Sequence, residues 1–64
     1  MNINLSCGGG YVTVTIEYDE IIASSSISSF EAREMTLFDL IEDLNNRINT
    51  CLTTIYESIE KDDI

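Results

Sequence analysis

The sequence predicts an α+β domain in which a three-stranded antiparallel β-meander packs on one long C-terminal amphipathic helix, in the order β-β-β-α. Two patterns support this fold. The segment YVTVTIEY alternates apolar and polar residues, as a half-buried strand does. From Leu37 to Ile59, apolar residues recur every three or four positions, as on one side of a helix. We expect a single domain, 1–64, with strands at about 1–6, 11–18 and 21–27, and a helix from 29 or 36 to about 60.

The second and third strands are predicted to form a hairpin. A two-residue turn at Asp19-Glu20 places the apolar residues of both strands on one face, which is the requirement for a stable register. Tyr18 is then expected in the core. A slightly longer loop stays open, because Asp-Glu is not an ideal pair for a type I′ turn. The predicted cross-strand pairs are Tyr18 with Ile21, Ile16 with Ala23, Val14 with Ser25 and Val12 with Ile27.

The segment Cys7-Gly8-Gly9-Gly10 precedes the second strand and admits two interpretations. A reactive thiol beside phosphate-binding amides would need a base and a following helix, and the chain has no histidine and continues as a strand. The segment is therefore interpreted as a turn. A four-residue loop, Cys7 to Gly10, would pair Leu5 with Val12 and Ile3 with Val14. We expect Cys7 and Cys51 to be buried free thiols.

The helix has two predicted starts. Ser28 with Glu31 forms a capping box, and Thr36 offers a second N-cap. Either a short first turn ends in a kink near Met35, or one helix runs from Phe30. A helix of ~25 residues is about 37 Å long, whereas strands of ~7 residues span about 23 Å. One end is therefore expected to overhang the sheet with an apolar stripe that contacts a partner or a second copy.

Charge restricts the function. The 64 residues include 12 Asp and Glu against 3 Lys and Arg, a net charge of −9. This balance disfavours direct nucleic-acid or membrane binding and favours basic protein partners. No cofactor, metal site or catalytic residue is expected, because no matching motif is present. The start MNINLSC has no secretion pattern, and no apolar run reaches membrane-spanning length, so we expect a cytoplasmic protein.

In size and charge the chain resembles small phage-encoded inhibitors of host nucleases or polymerases, including anti-CRISPR proteins. The resemblance rests on composition. It implies a non-enzymatic inhibitor, working in the host cytoplasm, whose carboxylates imitate nucleic-acid phosphates and occupy the basic groove of a nucleic-acid-binding protein. The expected acidic contacts are Glu17, Asp19, Glu20, Asp39, Glu42, Asp43, Glu57 and Glu60.

A second hypothesis belongs to a different class of protein. The chain would be an accessory subunit or a homodimerisation module that docks on a larger complex through the apolar stripe of the helix, with affinity from apolar burial. Tyr11 is expected to be exposed on the outer face of the sheet, where an aromatic side chain can anchor a partner. The apolar and aromatic candidates for partner or dimer contact are Tyr11, Leu52, Ile55, Tyr56 and Ile59.

Overall fold

The computed structural model describes residues 1–62 as a three-stranded sheet followed by a short and a long helix. The elements are β1 (Asn2–Gly8), β2 (Tyr11–Tyr18), β3 (Ile21–Ser28), α1 (Ser29–Glu34) and α2 (Leu37–Asp62). The sheet order is β1-β2-β3 with both pairs antiparallel, so β2 is the central strand. Helix α2 packs on β3 and β2. The predicted α+β meander with a long C-terminal helix is confirmed.

The β2–β3 hairpin has the predicted register. Tyr18 pairs with Ile21, and the other predicted pairs follow from this one. The turn has only two residues, Asp19 and Glu20, with φ of 48° and 68°. Positive φ at both central positions is the type I′ pattern, whose twist matches that of the flanking strands. Two residues with a Cβ atom therefore adopt a conformation that glycine would adopt at lower cost.

The β1–β2 hairpin differs from the prediction. Leu5 pairs with Val14 and Ile3 with Ile16, and the connection is the two-residue turn Gly9-Gly10, not a four-residue loop. Both glycines have positive φ, 61° and 86°. The register is shifted by two residues, so the same β1 side chains still face the helix side of the sheet. Because glycine adopts positive φ without a Cβ clash, the shorter turn is accessible.

Both predicted helix starts are used, by two separate helices. The Ser28 hydroxyl accepts a hydrogen bond from the backbone N–H of Glu31 at the start of α1. The Thr36 hydroxyl accepts one from the N–H of Asp39 at the start of α2. Between them Met35 is extended, with ψ of 150°, which ends α1. The N–H of Ser29 also donates to the carbonyl of Gly10, at 2.8 Å, and so links the β1–β2 turn to α1.

The core is small and lies between α2 and the β2–β3 half of the sheet. Its buried cluster consists of Val14 and Ile16 from β2 with Cys51 and Ile55 from α2. Ile27 is also buried, whereas Tyr18, predicted in the core, is 39% exposed at the end of β2. Leu52 and Ile55 pack on the sheet instead of overhanging it. The predicted overhang is therefore wrong for this part of α2, whose exposed apolar side is a flank along its length.

Candidate functional site

The carboxylates are almost all available to a partner. Among the described residues the structure contains one ion pair, between Arg47 Nε and Asp43 Oδ2 at 2.7 Å. The same guanidinium donates through Nη1 to the hydroxyl of Ser25 at 2.8 Å, which ties α2 to β3. Asp43 is half-buried and already engaged, so it contributes less to an external contact than its exposed neighbour Glu42.

Four of the predicted acidic residues form two matching pairs on α2. Asp39 and Glu42 lie near its start, and Glu57 and Glu60 lie near its end. The pairs are 18 residues apart, which is five helical turns, so they lie on the same side of the helix and about 27 Å apart. All four side chains are exposed. We call these four residues the acidic ridge.

The middle of the acidic ridge is neutral. Between Asp43 and Glu57 the helix contains no acidic residue, and Asn and Thr occupy its outer side. Three hydroxyl groups there, those of Thr50, Thr53 and Thr54, donate to carbonyls of their own helix one turn earlier. These hydroxyl groups therefore already donate hydrogen bonds within the helix. The negative charge is concentrated at the two ends of the ridge.

The remaining acidic candidates lie on the β2–β3 hairpin. Asp19 and Glu20 form its turn, and Glu17 lies on the outer face of β2. Because Tyr18 and Ile59 line one groove, this turn is at the same end of the molecule as the last turns of α2. It therefore adds three exposed carboxylates near the Glu57–Glu60 end of the acidic ridge.

The apolar candidates have different environments. Tyr11 is 55% exposed on the outer face of the sheet, as predicted, and Tyr56 is 62% exposed on α2. Leu52 is half-buried, and Ile59 lies at the edge of the groove. Ile55 is only 3% exposed and belongs to the chain's own core, so its side chain is not available to contact a partner. Its burial also makes Ile55 unsuitable for testing a docking interaction by mutation.

The structure reveals an apolar surface that the sequence analysis missed. The inward face of β1 is uncovered, with Ile3 53% and Leu5 54% exposed. Cys7, predicted to be buried, is exposed on the same face, and Cys51 is the buried free thiol. At the Met1 end of the strand, a groove connects it to the neighbouring flank of α2, where Leu52, Tyr56 and Ile59 line the groove with Met1. We call this combined surface the β1 face, and its members are Ile3, Leu5, Cys7, Leu52, Tyr56 and Ile59.

Simple dimensions explain why β1 is uncovered. A helix is about 10 Å wide, and neighbouring strands are about 4.8 Å apart. One helix therefore covers about two strands, and α2 covers β2 and β3. At one end of the β1 face a groove of about 640 Å³ opens between Met1, Tyr18 and the α2 flank. Helix width and strand spacing vary little among proteins, so an uncovered strand was predictable from three strands and one long helix.

No protein-family model matches the chain, and no curated protein or solved structure matches it either. Among residues 1–62, the Cys, Asp and Glu side chains do not gather in groups of three that could hold a metal ion. Neither described helix combines the length and the apolar character that crossing a membrane requires.

Proposed function

We propose that this chain is a non-enzymatic regulator that binds a basic protein partner through its acidic ridge and the acidic β2–β3 turn. One observation carries the proposal: Asp39 and Glu42 repeat as Glu57 and Glu60 after five helical turns, on one exposed side of a rigid helix. None of the four takes part in an ion pair within residues 1–62. Their charge is therefore available to cationic groups of a partner.

The spacing specifies the partner's surface. Two carboxylate pairs about 27 Å apart match two basic patches separated by the length of roughly eight base pairs, at 3.4 Å per base pair. A protein that tracks the phosphates of a duplex has basic patches at such distances. The proposed regulator occupies that nucleic-acid-binding surface in the cytoplasm and blocks it, in the manner of a phosphate mimic. Contacts between such charges accelerate association and weaken as salt increases.

Affinity capture with matched charge reversals tests this proposal. The wild-type chain is immobilised and exposed to a lysate of its native host at 50 and 500 mM NaCl. The test variant carries two reversals in the ridge, one near each end, Glu42→Lys and Glu60→Lys. The control keeps the ridge and the β2–β3 turn and reverses two exposed carboxylates of α1, Glu31→Lys and Glu34→Lys, so both variants have the same net charge.

The expected result is capture of a nucleic-acid-binding protein at 50 mM NaCl by wild type and, more weakly, by the control. Capture disappears at 500 mM NaCl and in the ridge variant. Competition by duplex DNA for the captured protein would identify the surface that the ridge occupies. Capture that is equal in ridge and control variants, or indifferent to salt, would refute the specific role of the ridge.

A second candidate function is favoured by the β1 face. A chain with an uncovered apolar strand and helix flank can serve as an accessory subunit or homodimerisation module, with affinity from apolar burial instead of charge. The two candidates use different residues, because the acidic ridge lies on the side of α2 away from the sheet and the β1 face contains no carboxylate.

A further inference from the structure

We propose that this chain forms a two-fold homodimer through the β1 face. It specifies a second copy of the chain as the partner in the second candidate function, and it does not depend on the acidic ridge. Its starting point is the amount of apolar surface left uncovered. Among the described residues, five apolar side chains are buried, whereas Ile3, Leu5 and Tyr56 are each more than half exposed. A core of this size rarely stabilises a chain of 64 residues by more than about 3–5 kcal/mol.

The solvent-accessible area of the chain is larger than that expected for a compact monomer of the same mass. The chain exposes 4878 Å². A compact monomer of 7.2 kDa is expected to expose about 4,100 Å². The excess, about 750 Å², is close to the ~800 Å² that each partner contributes to a standard protein–protein interface. The exposed apolar side chains of the β1 face contribute to this excess.

The shape of the chain supports the same conclusion. Its radius of gyration is 13.2 Å, whereas a compact domain of 64 residues is expected to have about 10.7 Å and one of 128 residues about 13.9 Å. The single chain is thus extended for its length. Two copies packed with their long axes side by side would share the 44 Å length and add only to a short dimension, so the pair would be less elongated than the single chain.

The composition of the β1 face favours a second copy as the occupant. Two copies with a net charge of −9 repel each other, so they can associate only through a face that keeps their carboxylates apart. The described residues that form the β1 face and line its groove include no Asp or Glu, and Arg33 lies beside Cys7. The β1 face is best covered by an uncharged apolar surface. The β1 face of a second copy is such a surface. Two-fold symmetry makes such a surface self-complementary.

The test compares the two faces of β1 in the full chain. Sedimentation equilibrium from 1 to 200 μM in 150 mM NaCl measures the mass. Leu5→Asp places a carboxylate on the β1 face, and Asn4→Asp places the same charge on the opposite face of the same strand. We expect wild type and Asn4→Asp to have twice the monomer mass. Leu5→Asp should weaken dimerisation by at least roughly 100-fold, because both copies bring a charge to the interface.

A second measurement on the unaltered chain guards against misfolding of Leu5→Asp. If folding and dimerisation are coupled, the melting temperature of wild type rises with protein concentration. A wild-type monomer at 200 μM with a concentration-independent melting temperature overturns the proposal. So does a Leu5→Asp variant that remains dimeric, or an Asn4→Asp variant that dissociates equally. If wild type is monomeric and captures a host protein that Leu5→Asp loses, the occupant is another protein and the homodimer is wrong.

The outcomes are separable from those of the acidic-ridge proposal. Charge reversal of the ridge leaves the β1 face unchanged, so this variant should stay dimeric. Leu5→Asp leaves the ridge unchanged and should retain salt-sensitive capture of a basic protein. Failure of one proposal therefore does not imply failure of the other.

Discussion

Truncation of Ile55 tests how strongly the stability of this fold depends on its small core. The Ile55 side chain is 3% exposed and packs with Val14, Ile16 and Cys51 at the contact between helix and sheet. Ile55→Ala removes three carbon groups, a transfer loss of about 2.4 kcal/mol at ~0.8 kcal/mol each. The cavity left behind adds to this loss, so we expect about 3–4 kcal/mol in total. The core of a domain of this size supplies only about 3–5 kcal/mol of unfolding free energy.

Ile55→Ala should therefore be close to its unfolding midpoint at 25 °C without denaturant. The assay is urea unfolding followed by far-UV circular dichroism, with protein concentration held constant because dimerisation would add to the apparent stability. The control, Ile22→Ala, removes the same atoms from an exposed position on the outer face of β3. It should cost less than about 1 kcal/mol. Equal losses for the two variants would show that the helix–sheet contact does not dominate stability.

Three further predictions concern the turns, the caps and the charge. Glu20→Gly should stabilise the fold by about 0.5–1 kcal/mol in urea unfolding, because Glu20 has φ of 68°; a loss would contradict the turn geometry. Thr36→Ala should cost about 1 kcal/mol, since the N–H of Asp39 loses its acceptor; Thr53→Ala, whose hydroxyl bonds its own helix, serves as the near-neutral control. Raising NaCl from 10 to 200 mM should increase the melting temperature by screening repulsion among carboxylates, and a decrease would refute this.

The sequence was sufficient for the architecture and for one of the two hairpins. Alternation along β2 and β3 places Val12, Val14 and Ile16 on one face with a single satisfactory partner register, which the structure has. The β1–β2 hairpin was wrong by two residues, because both registers place Ile3 and Leu5 on the same face and alternation cannot distinguish them. The conformational preference of consecutive glycines for a two-residue type I′ turn would have decided between the registers.

The site was less predictable than the fold. Helical periodicity identified Leu52, Ile55 and Ile59 as apolar but could not divide them between the chain's own core and its surface. That division depends on where α2 crosses the sheet, a tertiary property. Ile55 faces β2 and is buried, whereas Ile59, four residues later, borders the groove beside Met1. Seven of the eight acidic candidates are exposed, as expected of carboxylates without partners, and Asp43 is half-buried beside Arg47.

The bond between the N–H of Ser29 and the carbonyl of Gly10 has a practical consequence for engineering. The two hairpin tips look equivalent in length, but the Gly9-Gly10 tip is tied to the start of α1, and no such bond to another element is seen for the described Asp19-Glu20 tip. An affinity tag or fluorescent reporter inserted between Gly9 and Gly10 would displace the helix start. Inserted between Asp19 and Glu20, the same cargo would extend into solvent and leave the scaffold intact.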